Sequence, residues 1–150
     1  MPTGLIAIKD RMLQLTDKNA LVSNDIQLTA PCVDATVTVA DEASNVRAIT
    51  IQLLDSNGAD INYAEEVTVG VFLTNDRLAY VVTGGSTGIA IGTDGSALAL
   101  VAKKRFVCTS EIDGDIDLTW TDTGSEAAYI GVLLPTGRWV MGDQLLTNAA

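Results

Sequence analysis

Asp113-Gly114-Asp115-Ile116-Asp117-Leu118-Thr119-Trp120-Thr121 is the stretch that decides the fold class. Ile116, Leu118 and Trp120 share one parity, and Asp115, Asp117, Thr119 and Thr121 share the other. Side chains along a strand point alternately to opposite faces, so this run predicts a strand with one face in a core and one in water.

The same period recurs outward in both directions. In Ala35 to Val39 the valines fall on one face and the threonines on the other. In Arg47 to Leu54, Ile49, Ile51 and Leu53 oppose Thr50 and Gln52. In Val67 to Leu73, Val67, Val69, Val71 and Leu73 are expected on one face. The chain holds 17 threonines, which with its valines and isoleucines favour pleated surfaces. Turn signals separate the runs: Asn57-Gly58, the loop Thr83 to Gly88, Asp94-Gly95, Asp113-Gly114 and Pro135-Thr136-Gly137. Asp41 to Asn45 is too short to be more than a turn. Seven to nine strands at this spacing predict an all-β, immunoglobulin-like antiparallel β-sandwich.

Two segments break the alternation. Ala127 to Leu134 and Ala97 to Ala102 are apolar on both faces. Such a strand is either central and covered twice, or it turns one face to another subunit. The tail from Trp139 to Leu146 adds apolar surface, and together these features point towards an oligomer.

The chain divides near Pro31. Residues 1–30 carry three cations and three anions, so the whole net charge of −10 lies on residues 31–150. Leu5, Ile6, Ile8, Met12, Leu13 and Leu15 fit neither a helical stripe nor alternation. A short helix over Lys9 to Leu15 and an extended arm are both open readings. Residues 1–30 are expected to form an N-terminal arm that docks on a neighbour, and 31–150 to form the sandwich.

Composition excludes several roles. An acidic surface disfavours a general nucleic-acid binder. The chain has no histidine, which removes the usual general base and the commonest metal ligand. No run approaches the roughly 18 apolar residues of a membrane helix, and the start lacks a signal-peptide core. A protein made in the cytoplasm is the expectation. Cys32 and Cys108 can form at most one bridge; the plainer reading is two small buried apolar residues.

Candidate chemistry is sparse. Asp113, Asp115 and Asp117 have the spacing that opens a calcium loop, but position six is Leu118 and position twelve is Gly124. On a strand they simply face solvent. Gly84, Gly85 and Gly88 lack the Gly-Lys-Ser/Thr of a phosphate loop and read as flexibility. Lys103-Lys104-Arg105 reads as a charged turn or strand edge, or as a docking contact for an acidic partner. No catalytic, cofactor-binding or metal-binding residue is nominated, and the expectation is a non-enzyme.

Residues 36–141 resemble the immunoglobulin-like modules of tailed-bacteriophage structural proteins. The resemblance is carried by the Gln52-Leu53-Leu54-Asp55-Ser56-Asn57-Gly58-Ala59-Asp60-Ile61 hairpin, the Gly92 to Leu100 turn into a strand, the Ser110 to Asp122 strand and the closing Tyr129 to Val140. It implies a virion protein, foremost a capsid decoration (cement) protein on the outer capsid surface. It further implies the major capsid protein as partner and a homo-oligomer, a trimer first, with no nucleic acid, membrane or cofactor. A tail-tube or tail-fibre module, a carbohydrate-binding module with Trp139 as the candidate platform, and a metal-dependent adhesion domain that needs Asp113 to Asp117 to converge are the alternatives.

Overall fold

The computed structural model describes residues 30–148, together with three short backbone pairings before them. Those three are β1 (Gln14–Leu15), β2 (Leu21–Val22) and β3 (Gln27–Leu28), joined antiparallel in that order. The rest of the expected arm, including the start of the segment weighed as a helix, lies outside the described residues.

Residues 30–148 form nine strands and, among the described residues, no helix. They are β4 (Asp34–Val39), β5 (Val46–Leu54), β6 (Glu66–Phe72), β7 (Gly88–Ile91), β8 (Ser96–Val101), β9 (Arg105–Thr109), β10 (Asp115–Thr121), β11 (Tyr129–Leu133) and β12 (Trp139–Gln144). A four-stranded sheet runs β4-β5-β10-β7 and a five-stranded sheet runs β12-β11-β6-β9-β8. Every ladder is antiparallel. The molecule is therefore an antiparallel β-sandwich of immunoglobulin-like type.

The alternation read from the sequence is what builds the core. Ile49, Ile51 and Leu53 of β5 and Ile116, Leu118 and Trp120 of β10 are fully buried, as are Val69, Val71 and Ile130 opposite. Thr36, Thr38 and Thr50 face water. Full burial of each large aliphatic side chain stabilises the fold by about 1.5–3 kcal/mol, and this inner layer is the main favourable term. The sheets close tightly on one side: a Cβ added at Gly142 of β12 would stand 2.6 Å from Val37 of β4.

Turns follow their chemistry. Ala43 and Val46 bridge around Ser44 and Asn45, whose φ angles are 53° and 68°. Two consecutive left-handed residues match the twist of a two-residue hairpin.

The structure corrects the end of the Val67 to Leu73 run. The strand stops at Phe72, Leu73 is exposed, and the chain turns back with the Leu73 amide donating to Ala79. Phe72 instead covers the outer face of the sheet. It stacks on Tyr80 with centroids 4.9 Å apart and meets Trp139 edge-on at 5.3 Å. The rings fit because Gly70 and Gly131 lie beneath them: an added Cβ would come within 2.6 Å of Phe72 at Gly70 and 2.7 Å of the Met141 sulfur at Gly131. Gly131→Ala should cost about 1–3 kcal/mol in a denaturant melt through this overpacking.

The two strands apolar on both faces have opposite fates. β11 lies between β12 and β6, with Ile130 and Val132 inward and Gly131 under the aromatic cover. It is the strand covered twice. β8 is the last strand of its sheet, and all six of its residues are exposed.

Candidate functional site

Ser96-Ala97-Leu98-Ala99-Leu100-Val101 presents six consecutive uncharged residues on a sheet edge that pairs with no further strand among the described residues. Leu98 is 67% exposed, and Leu100 and Val101 are about half exposed. Ala97 and Ala99 pair across β9 with the buried Cys108 and Phe106, so they turn inward and still meet solvent. Ile91 behaves alike: it pairs with buried Leu118 yet is 42% exposed. Cross-strand partners share a face, so the sandwich is open between β7 and β8. The cause is length, because β7 has only four residues and the sheet ends there.

The two ends of this edge differ in charge. Before β8 stand Asp94 and Gly95; the Gly95 amide donates to Glu111 at 3.3 Å, and the Asp94 carbonyl accepts the Asp117 amide at 2.9 Å. After β8 comes the turn bearing Lys103 and Lys104, and Arg105 opens β9. The basic run is thus a hairpin tip. Lys103 has φ of 61°, and its Nζ donates to the carbonyls of Gly85 and Ser86 at 3.0 and 2.8 Å.

The loop Thr83 to Gly88 is pinned, contrary to its reading as flexible. Glu126 lies beneath it. One carboxylate oxygen accepts the amides of Val82 and Thr83 at 3.0 and 3.1 Å, and the other accepts those of Gly84 and Gly85 at 2.9 and 3.0 Å. The Thr83 hydroxyl donates as well. Ser86 is held by Asp122, which also receives the amides of Gly124 and Glu126. Gly84 and Gly85, with φ of 77° and 72°, let successive amides turn towards one carboxylate. Burial pushes the Glu126 carboxyl up, but the bonds from Thr83, Gly85 and Gly84 outweigh it and hold the pKa at about 2. The cradle is therefore filled by the chain's own anion. No local sequence pattern marks Glu126, which lies some forty residues beyond the loop.

The acidic run is less solvated than its spacing suggested. Asp113 is exposed, but Asp115 and Asp117 are half-buried. Asp117 accepts the hydroxyls of Thr50, at 2.9 Å, and of Thr93. Asp115 keeps one buried carboxylate oxygen with no hydrogen-bond partner among the described residues. Burial pushes its pKa up, as do the neighbouring charges of Asp117, Asp94 and Asp113. A raised carboxyl pKa means the folded state binds a proton more tightly than the unfolded chain, so the ionised group opposes folding above that pKa. Asp115→Asn should raise the melting temperature at pH 7 by a gain within about 0.5 kcal/mol. The gain should shrink as pH falls through the Asp115 pKa. Among the described residues, no three Cys, Asp or Glu converge closely enough to hold a metal ion.

Trp139 does not lie free as a platform. Phe72 meets it in a T-shaped contact, Gly131 lies against it, and the Arg77 guanidinium carbon stands 5.8 Å over its ring. Cys32 and Cys108 are both free thiols and buried. Burial alone pushes Cys108 up to about 12. Among the described residues no helix is long and apolar enough to cross a membrane.

No protein-family model matches the chain, and no curated protein matches it. Among solved structures, it is similar to a cohesin module from Clostridium perfringens ATCC13124 family 33 glycoside hydrolase. That likeness has 14% identity, covers 77% of this chain and 93% of that chain, and has a TM-score of 0.38. The sandwich class rests on the strand ladders themselves.

Proposed function

We propose that this chain is a non-enzymatic structural module that works by assembling with other protein surfaces. The observation that carries this reading is β8: an uncharged edge strand, exposed at every residue, with three large apolar side chains and no covering element among the described residues. Free strand edges are templates for pairing, and soluble proteins usually blunt them with charge, proline or a cover. The absence of histidine from the chain agrees with a role that needs no proton transfer.

The resemblance of residues 36–141 to bacteriophage immunoglobulin-like modules supplies the setting. In this reading the protein is a decoration protein on the outer surface of a tailed-phage capsid, and its partner is the major capsid protein. The apolar residues of 1–30 provide an attachment arm, and the β8 edge links copies so that weak single attachments add up. A rigid acidic sandwich keeps the outer surface soluble.

The test is co-sedimentation with assembled, undecorated shells and, separately, with tails of the virus that encodes the chain. Pelleting with shells at saturating, stoichiometric occupancy is expected. Pelleting with tails alone would move the module to the tail. Binding to neither, with retention on a glycan array, would replace assembly by carbohydrate recognition.

A further inference from the structure

The charge on either side of β8 names its partner. The strand begins beside Asp94 and Glu111 and ends at Lys103, Lys104 and Arg105, while the six residues between carry no charge. A parallel neighbour with the same sequence would set acid against acid and base against base. An antiparallel neighbour sets each acidic end against a basic end, twice. We infer that the occupant of this edge is a second copy of the chain, joined through antiparallel β8–β8 pairing across a two-fold axis.

A two-fold axis perpendicular to a continuous sheet pairs residues of like parity, and centring it on Ala99 uses the whole strand. Leu98 of each copy then stands opposite Leu100 of the other, and the acidic turn before β8 of each copy lies towards the basic hairpin tip after β8 of the other. Directly opposed apolar side chains are the unit that stabilises such a pair. The irregularity between β8 and β9 falls between Ala99 and Val101, so the first four residues of the edge keep regular pairing geometry. The open side between β7 and β8 places Ile91 next to the new seam, where it adds apolar surface. Pairing joins the two five-stranded sheets into one ten-stranded sheet. The contact is isologous: each pairing occurs twice with the roles of the two copies exchanged, so the assembly closes at two copies.

This inference rests on the reading of β8 as the assembly edge, and it replaces the trimer implied by the resemblance with a dimer. Light scattering over a concentration series should give a mass approaching twice 15.7 kDa. Leu98→Lys should remain monomeric at least tenfold above the wild-type midpoint, with its thermal unfolding unchanged. Ala99→Cys, on the axis, should form a disulfide-linked dimer under mild oxidation, because Cα atoms of directly opposed antiparallel residues lie within bridging range. Asp94→Lys and Lys104→Asp should each weaken dimerisation about tenfold, and the two together in one chain should restore it. That restoration is specific to antiparallel self-pairing.

A wild-type monomer at every concentration overturns the inference, as does a trimer insensitive to Leu98→Lys. If the monomer nevertheless pellets with shells and Leu98→Lys abolishes that, β8 binds the shell directly and the proposed function stands alone. If the protein dimerises through β8 and pellets with no shell, the dimer stands and the decoration role fails.

Discussion

Trp120→Ala should lower the free energy of unfolding by about 3–5 kcal/mol, read as a shift of the denaturant midpoint at unchanged slope. Trp120 is the largest fully buried side chain. It sits on β10, between β5 and β7, opposite Arg47 on one side and Ile89 on the other. Its ring also limits the loop above: a Cβ at Gly85 would stand 3.0 Å from it. Alanine would leave a cavity at the junction of the core and the pinned loop, where few side chains can relax inward. Trp120→Phe sharpens the test. The indole N–H is buried with no hydrogen-bond partner among the described residues, and an unmet buried donor carries its own penalty of about 1–3 kcal/mol. Phenylalanine gives up ring area but removes that donor, so its loss should be well under half that of alanine. Equal losses would mean that the indole N–H is satisfied by water.

Glu126→Gln should destabilise the protein at neutral pH and progressively less in acid. The carboxyl pKa is about 2 in the fold against an ordinary 4.5. Converted in full, that shift corresponds to about 3 kcal/mol. Partial exposure and solvent screening reduce it to about 1–2 kcal/mol. A depressed carboxyl pKa contributes stability that is complete above the unfolded-chain value and is lost as pH falls through the folded value. The gap between wild type and Glu126→Gln should therefore be full from about pH 5.5 upward and vanish near pH 2. Glutamine offers one acceptor oxygen where the loop uses two, and sets an NH2 group against backbone donors. Melts of both proteins across pH 2–7 check this. A gap independent of pH would mean that the loop reads the side chain's shape and not its charge. Amide exchange at Gly84 and Gly85 should accelerate in the variant, since both amides lose their acceptor.

These two residues mark what the sequence could and could not disclose. Trp120 was legible because period-two alternation is a local property, and the same logic placed Ile49, Ile51, Val69 and Leu118 in the core. Glu126 was illegible because its partners are some forty residues away and are backbone amides, which carry no residue identity. The two apolar strands show the middle case. Ala127 to Leu134 and Ala97 to Ala102 look alike as composition; only sheet order sends one to the interior and the other to the rim. Leu73 failed for a related reason. It kept the parity of Val71, but Phe72 found a glycine-lined seat outside the sheet and the strand ended there.

Cys32 and Cys108 have a consequence for the surroundings the protein tolerates. Neither strand ladders nor core depend on a covalent cross-link, and the fold contains both thiols in reduced, enclosed form. A thiol pushed up to about 12, as Cys108 is, stays protonated at neutral pH and offers no thiolate for exchange. Cys108 is thus closed to thiol–disulfide exchange while the fold is intact. Its sulfur fills the core as a small apolar group, and an oxidant reaches it only when the sheets open.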